Sequence, residues 1–114
     1  MTIDSEEQGS VRVLRLDGDV DEEGVMDLRV ALLRCIREGH SDVVLNLKHV
    51  RFMSYMGVGV LVERLRQVRA LHGDMKLVGL SLYLDRLFRM VGVTSLFNRY
   101  DSESQAVQEF RKAA

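Results

Sequence analysis

The sequence predicts an α/β domain with a mixed β-sheet of about four or five strands and about four α-helices. From about residue 11 onward, short apolar runs of strand type alternate with amphipathic helical segments. That order is typical of parallel strands joined by helical crossovers. The 114 residues are 46% hydrophobic and 29% charged, enough to bury one core. We therefore expect a single domain over residues 1–114.

Three short segments near the N-terminus and centre predict the first strands. Val11–Leu16 alternates and ends at the Asp17-Gly18 turn, and Thr2–Glu7 is a weaker strand that pairs with it. Asp42–Leu47 is an almost uninterrupted apolar run, which indicates a central strand covered on both faces. Two later segments also predict strands: Met75–Val78 and, at an edge of the sheet, Leu96–Tyr100.

Helical spacing of apolar residues predicts the four helices. Asp21 is a good N-cap for the first, which we place at Glu22–Glu38. The clearest helix runs over Gly57–Leu71, where apolar residues recur every three or four positions. A third helix carries Leu84 to Val91, and Ser102 opens a fourth.

Charge and composition exclude several classes of function. The 16 basic and 17 acidic residues nearly cancel, and the only basic cluster, Arg64, Arg66 and Arg69, is typical of a solvated helix face. No apolar run approaches the roughly 20 residues needed to span a bilayer, and the first ten residues do not form a secretory signal. A single cysteine, Cys35, fits a reducing compartment. We expect a cytoplasmic protein with no nucleic-acid partner and no membrane insertion.

Residues with catalytic or ligating chemistry do not form a recognisable set. The three histidines, His40, His49 and His72, lack metal-ligand spacing, and Cys35 falls on the apolar side of the first helix as a small core residue. No phosphate-loop fingerprint, nucleophile elbow or pair of carboxylates flanks a plausible cleft. The sequence thus predicts no catalytic residues, no metal and no cofactor. We expect a protein that is not an enzyme.

The segment before the clearest helix is unusually apolar for a loop. Phe52–Met56 places aromatic and apolar side chains there, which indicates either a tucked-in turn or a protein-binding patch. Gly57 and Gly59 follow. Two interpretations fit these glycines. They either form an anion site at the helix N-terminus or, as we favour, let the chain pass close to a neighbouring strand.

Several motifs that are each weakly specific indicate a family resemblance when they are taken together in their order along the chain. They are Leu16–Asp21, Val44–Leu47, Phe52-Met53 followed by Gly57–Leu61, Gly73–Leu77, and Leu87–Val93 with Phe97 and Ala106. The chain resembles the STAS domain, the fold of bacterial anti-sigma factor antagonists. The resemblance implies a small STAS-like domain that takes part in partner switching and transcription regulation. It also implies a partner of the ATP-binding anti-sigma factor type, which is also a Ser kinase.

The loop that carries the family's phosphorylation switch is altered in this chain. In the family it reads Asp, a target Ser or Thr, usually another Ser or Thr, and Gly-Leu-Gly. Counting back from Gly57, these first three positions hold Ser54, Tyr55 and Met56. The usual phosphoacceptor is therefore missing. Either Ser54 has become the acceptor or the domain binds its partner without this control. We favour Ser54 as an N-cap.

The resulting hypothesis is a non-enzymatic interaction domain that binds a regulatory partner through the helix-start loop, residues 54–59. The predicted partner-binding residues are Gly18, Asp19, Asp21, Met53, Ser54, Tyr55, Met56, Gly57 and Gly59. Two alternatives keep the fold: a cytosolic STAS subunit of a lipid or anion transporter, and a nucleotide-binding module that uses the Gly57-Val58-Gly59 helix start.

Overall fold

The computed structural model describes residues 1–113 as a five-stranded sheet packed against helices. The strands are β1 (Thr2–Gln8), β2 (Val11–Val20), β3 (Asp42–Met53), β4 (Asp74–Val78) and β5 (Asn98–Tyr100). The helices are α1 (Glu22–Arg37), α2 (Tyr55–Ala70), α3 (Leu82–Val91) and α4 (Glu103–Ala113), with a short 3₁₀ turn at Thr94–Leu96. The strands lie in chain order; β1 is antiparallel to β2, and all later pairs are parallel. The predicted mixed α/β fold is confirmed.

Helices cover both faces of the sheet, and the central strand alternates between two cores. Val43, Leu45 and Leu47 belong to the larger core with α1, α2 and α3. Val44 belongs to a smaller core beneath α4. The apolar run in β3 is therefore buried on both sides, as predicted, because successive side chains of a strand point to opposite faces.

The sequence misplaces the ends of two strands. Asp17-Gly18 is not a turn: it lies within β2, which pairs with β3 as far as Val20 opposite Met53, with two irregularities of register. Strand β3 likewise continues beyond Leu47 to Met53, and α2 begins at Tyr55, two residues earlier than predicted. These extensions are polar in part, so mutual backbone pairing rather than apolar content sustains them.

Parallel strands bring three helix N-termini to one edge of the sheet, which we call the helix-start edge. The caps there are Asp21 for α1, Ser54 for α2 and Ser81 for α3. Their side chains accept hydrogen bonds from backbone N–H groups at 2.9, 3.3 and 3.1 Å, respectively. Each cap satisfies a donor that the first helical turn leaves unpaired.

Candidate functional site

The start of α2 exposes a group of large apolar side chains, which we call the apolar lip. Its members are Phe52, Tyr55 and Met56, which are 43%, 65% and 67% exposed. Tyr55 and Met56 are the first two residues of α2, so their side chains project from a rigid helix rather than from a loop. A patch of this kind, which the core does not use, is a candidate interaction site.

Met53 and Gly57 lie beneath the lip rather than on it. The Met53 side chain is 1% exposed, so the expectation of an exposed contact residue there is wrong. Gly57 is also buried: a Cβ added to it would lie 2.8 Å from Met53 Cγ and 2.9 Å from Val20 Cγ1. Close passage of the chain therefore accounts for this glycine, one of the two on which the nucleotide-binding alternative depended. Gly59 is exposed, and no atom would lie within 4 Å of its added Cβ.

Ser54 joins the lip to the neighbouring α1 start. Its backbone N–H donates to Val20 O at 2.9 Å, and its hydroxyl oxygen accepts from Gly57 N–H at 3.3 Å. The capping role favoured for Ser54 is therefore confirmed. This arrangement anchors α2 between the ends of β2 and β3.

The acidic residues predicted for the site surround the α1 start. Asp19 and Asp21 are both exposed, and Asp21 also caps α1. Gly18 is half-buried with φ of 118°, and an added Cβ would lie 3.2 Å from Met1 Cα. Asp19 and Asp21 flank Val20, the residue hydrogen-bonded to Ser54, so the structure brings these acidic residues beside the lip.

Sequence reasoning missed a second wall of the site, which comes from α3. Tyr83 stacks on Phe52 with ring centroids 6.3 Å apart, and its hydroxyl donates to Met53 O at 3.2 Å. An open groove of about 620 Å³ lies between the lip and α3; we call it the α3 groove. Its lining includes Phe52, Tyr55, Leu82, Tyr83, Arg86 and Met90. A signal was available, since seven of the ten residues of α3 are apolar, more than one buried stripe needs.

In the basic cluster on α2, Arg66 and Arg69 lie on a solvated face, as predicted, and Arg64 does not. Arg64 is buried and donates to Gln67 Oε1 at 2.7 Å and to Arg29 O at 3.3 Å. Arg69 pairs with Asp74 at 3.0 Å. Only the burial of Arg64 corrects the prediction, but two of the three arginines have partners within the fold, which leaves less free positive charge for an anionic partner.

The remaining residues with reactive or ligating side chains are Cys35 and the His, Asp and Glu residues. Cys35 is buried, as predicted, and burial raises the pKa of its thiol. Over residues 1–113, no group of three or more His, Cys, Asp or Glu side chains is arranged to hold a metal ion. Among the same residues, none of the helices combines the length and the apolar content that a bilayer-spanning segment needs.

Comparison with known proteins decides the family. Residues 2–106 match the family model described as the STAS domain. The chain belongs to the STAS domain family. It is 27% identical to the anti-sigma F factor antagonist of Paenibacillus polymyxa over 110 residues, 96% of this chain and 94% of that protein. It is 24% identical to the anti-sigma-B factor antagonist of Staphylococcus aureus (strain NCTC 8325) over 98 residues, 86% of this chain and 91% of that protein.

A solved structure agrees with this assignment. The unphosphorylated anti-sigma factor antagonist SpoIIAA superposes on this STAS domain with a TM-score of 0.77 at 25% identity. The match covers 96% of this chain and 98% of that one. The protein is thus a STAS domain of the kind found in anti-sigma factor antagonists.

Proposed function

We propose that this STAS domain is a non-enzymatic, cytoplasmic interaction module that binds an anti-sigma factor through the apolar lip. The observation that carries the proposal is the exposure of Tyr55 and Met56 on the first turn of α2. In the family the position of Tyr55 holds the Ser or Thr that is phosphorylated. The names of the two relatives, both antagonists of anti-sigma factors, support the class of partner.

Binding at the lip requires no chemistry beyond burial of apolar surface. A tyrosine buries a large area at low entropic cost and is enriched in interface cores. Because Tyr55 and Met56 stand on a capped helix start, little backbone conformational freedom remains to be lost on binding. The partner in this proposal is an anti-sigma factor of the ATP-binding Ser kinase type.

Control by phosphorylation at the family position is absent in this proposal. A phosphate there would add about −1.5 to −2 charges at pH 7 and would oppose apolar docking. Tyr55 and Met56 lack the Ser or Thr hydroxyl and add apolar area instead. Any regulation therefore acts outside this loop. Peptide mass spectrometry of protein from its native cell is expected to show no stoichiometric phosphate on residues 54–59, and phosphate on Ser54 would overturn this part of the proposal.

Substitution of Tyr55 tests the binding site directly. Tyr55→Ala is expected to weaken binding to a purified anti-sigma factor from the same organism by about 2 kcal/mol, roughly 30-fold in Kd, because it removes a central anchor. Isothermal titration calorimetry measures the change. The matched control is Leu71→Ala: Leu71 is similarly exposed but lies at the opposite end of α2. Equal affinities for Tyr55→Ala and the unaltered chain would refute the site.

A further inference from the structure

Helix α3 presents an outward stripe that the core does not use. Leu82, Arg86 and Met90 are spaced four residues apart, so they lie on one side of the helix over about 12 Å. Leu82 is 67% exposed and Met90 is 75% exposed. All three line the α3 groove.

Arg86 is a cation placed in the middle of this apolar wall. Over residues 1–113 it takes part in no salt bridge. Its neighbours differ: Arg89 pairs with Asp85 at 3.1 Å, and Arg99 also donates to Asp85. The guanidinium of Arg86 is therefore available to a carboxylate from outside the chain.

Acidic, apolar and basic side chains follow one another across the site. The α1 start carries the exposed acidic residues Asp19, Asp21, Glu22 and Glu23. The apolar lip follows, and the α3 groove with Arg86 lies on its far side. A partner complementary to this order would place apolar side chains centrally and a carboxylate over α3.

We propose that the α3 groove seats an amphipathic helix of the protein partner, with an apolar stripe against Phe52, Tyr83 and Met90 and an acidic side chain paired with Arg86. A stripe of residues four apart on α3 favours a helix as occupant, because ridges of that spacing pack into the grooves of a second helix. A basic occupant would place like charge beside Arg86. A polar occupant would bury its own polar groups against Leu82 and Met90, where they would have no hydrogen-bond partners. The inference rests on the proposed function in taking the occupant from a protein partner, and it adds a second contact surface and its chemistry.

Two synthetic helical peptides test the chemistry of the groove. Both are about 20 residues long, to favour helix formation, and share one Leu and Phe stripe. One carries Glu beside the stripe and the other carries Lys. With the full-length isotope-labelled chain, the Glu peptide is expected to shift the backbone NMR signals of Phe52, Tyr83 and Met90, and to bind at least about tenfold more tightly than the Lys peptide. Equal affinity of the two peptides, absence of binding, or shifts confined to other surfaces would overturn the proposal.

Charge reversal in the chain supplies the second arm. Arg86→Glu is expected to weaken binding of the Glu peptide by about tenfold or more and to strengthen binding of the Lys peptide. Arg66→Glu is the matched control, since Arg66 is an exposed arginine of α2 outside the groove lining. Arg86→Glu and Tyr55→Ala are then titrated with the anti-sigma factor, with Arg66→Glu again as the control. If Tyr55→Ala weakens that complex while Arg86→Glu does not, this inference fails and the proposed function stands. If neither weakens it, both fail.

Discussion

The side chains of the helix-start edge and those of the face covered by α4 differ in whether they have partners within the fold. Under α4, Arg15 donates through Nε and Nη2 to the two carboxylate oxygens of Glu103, each at 2.8 Å. Asn46 adds a third hydrogen bond to Glu103 at 2.7 Å. At the helix-start edge, by contrast, Tyr55 and Met56 make a large apolar surface that stays exposed. The first region is closed by its own residues, and the second is left open.

A buried cation shows how complete the closure is under α4. Lys76 is buried, and its Nζ lies 4.7 Å from the ring centroid of Phe110 and 5.7 Å from that of Tyr100. Asp74 accepts a hydrogen bond from it at 3.2 Å. The charge thus has both aromatic and carboxylate partners. On the α3 wall, the guanidinium of Arg86 has no carboxylate partner within residues 1–113. The α4 face therefore serves stability, and the helix-start edge carries the surface that we propose for recognition.

The largest effect is expected in the core that packs against α2. Leu65 is a buried residue of α2, and Leu65→Ala should lower the free energy of unfolding by about 2–5 kcal/mol through a cavity. Tyr55→Ala, ten residues earlier on the same helix, should change it by less than about 0.5 kcal/mol. Urea unfolding followed by circular dichroism measures both. A large loss of stability in Tyr55→Ala would break the distinction, because the lip would then be part of the core.

The ion pair under α4 should give an intermediate effect that depends on pH. The hydrogen bond from Arg15, and next the one from Asn46, lowers the pKa of Glu103. Because the folded pKa lies below that of the unfolded chain, about 4.3, the pair stabilises the fold at neutral pH. This contribution is lost as the pH falls below about 4.3 and through the folded pKa.

Glu103→Gln tests that contribution. It should cost about 1–2 kcal/mol at pH 7, a value reduced by solvent screening because the Arg15 side chain is 37% exposed. The difference from the unaltered chain should shrink in acid. Glu109→Gln removes an exposed pair with Lys112 on the same helix and should cost less than about 0.5 kcal/mol. Urea unfolding at several pH values between neutral and strongly acidic gives the comparison, and a difference independent of pH would contradict the assignment.

The smallest effects should separate the two glycines of the open edge. Gly57→Ala would force a methyl group against Met53 and the stiff side chain of Val20, so we expect a net loss of about 1 kcal/mol. Gly59→Ala has open space in a helix and should raise stability by about 0.5–1 kcal/mol. Thermal unfolding of both variants provides the test. Equal destabilisation would mean that Gly59 also has a packing role.

Local sequence signals predicted most elements because their physical causes are local. Asp21 and Ser54 cap their helices through hydrogen bonds within three residues of themselves. The central apolar run of β3 is buried as expected. The ends of β2 and β3 were missed because their pairing partners lie about 30 residues apart, as with Val20 and Met53.

Side-chain destinations were the least predictable feature. Arg64 looked solvated by type and by its neighbours, but its guanidinium reaches Arg29 O across the packed helices. The α3 wall was missed for a related reason. The helical spacing of Leu84 and Phe88 predicted the stripe that is buried, but only the packing of α3 shows that Leu82 and Met90 line an exposed groove.

The sequence alone determined the α/β class, the mixed sheet, the caps at Asp21 and Ser54 and the apolar segment before α2, because periodicity and capping act over a few neighbouring residues. Tertiary structure alone decided that Met53 is buried while Tyr55 is exposed, and that Phe52 and Tyr83 form one wall of a groove. Such outcomes depend on which surfaces of distant elements meet, and no local pattern specifies that.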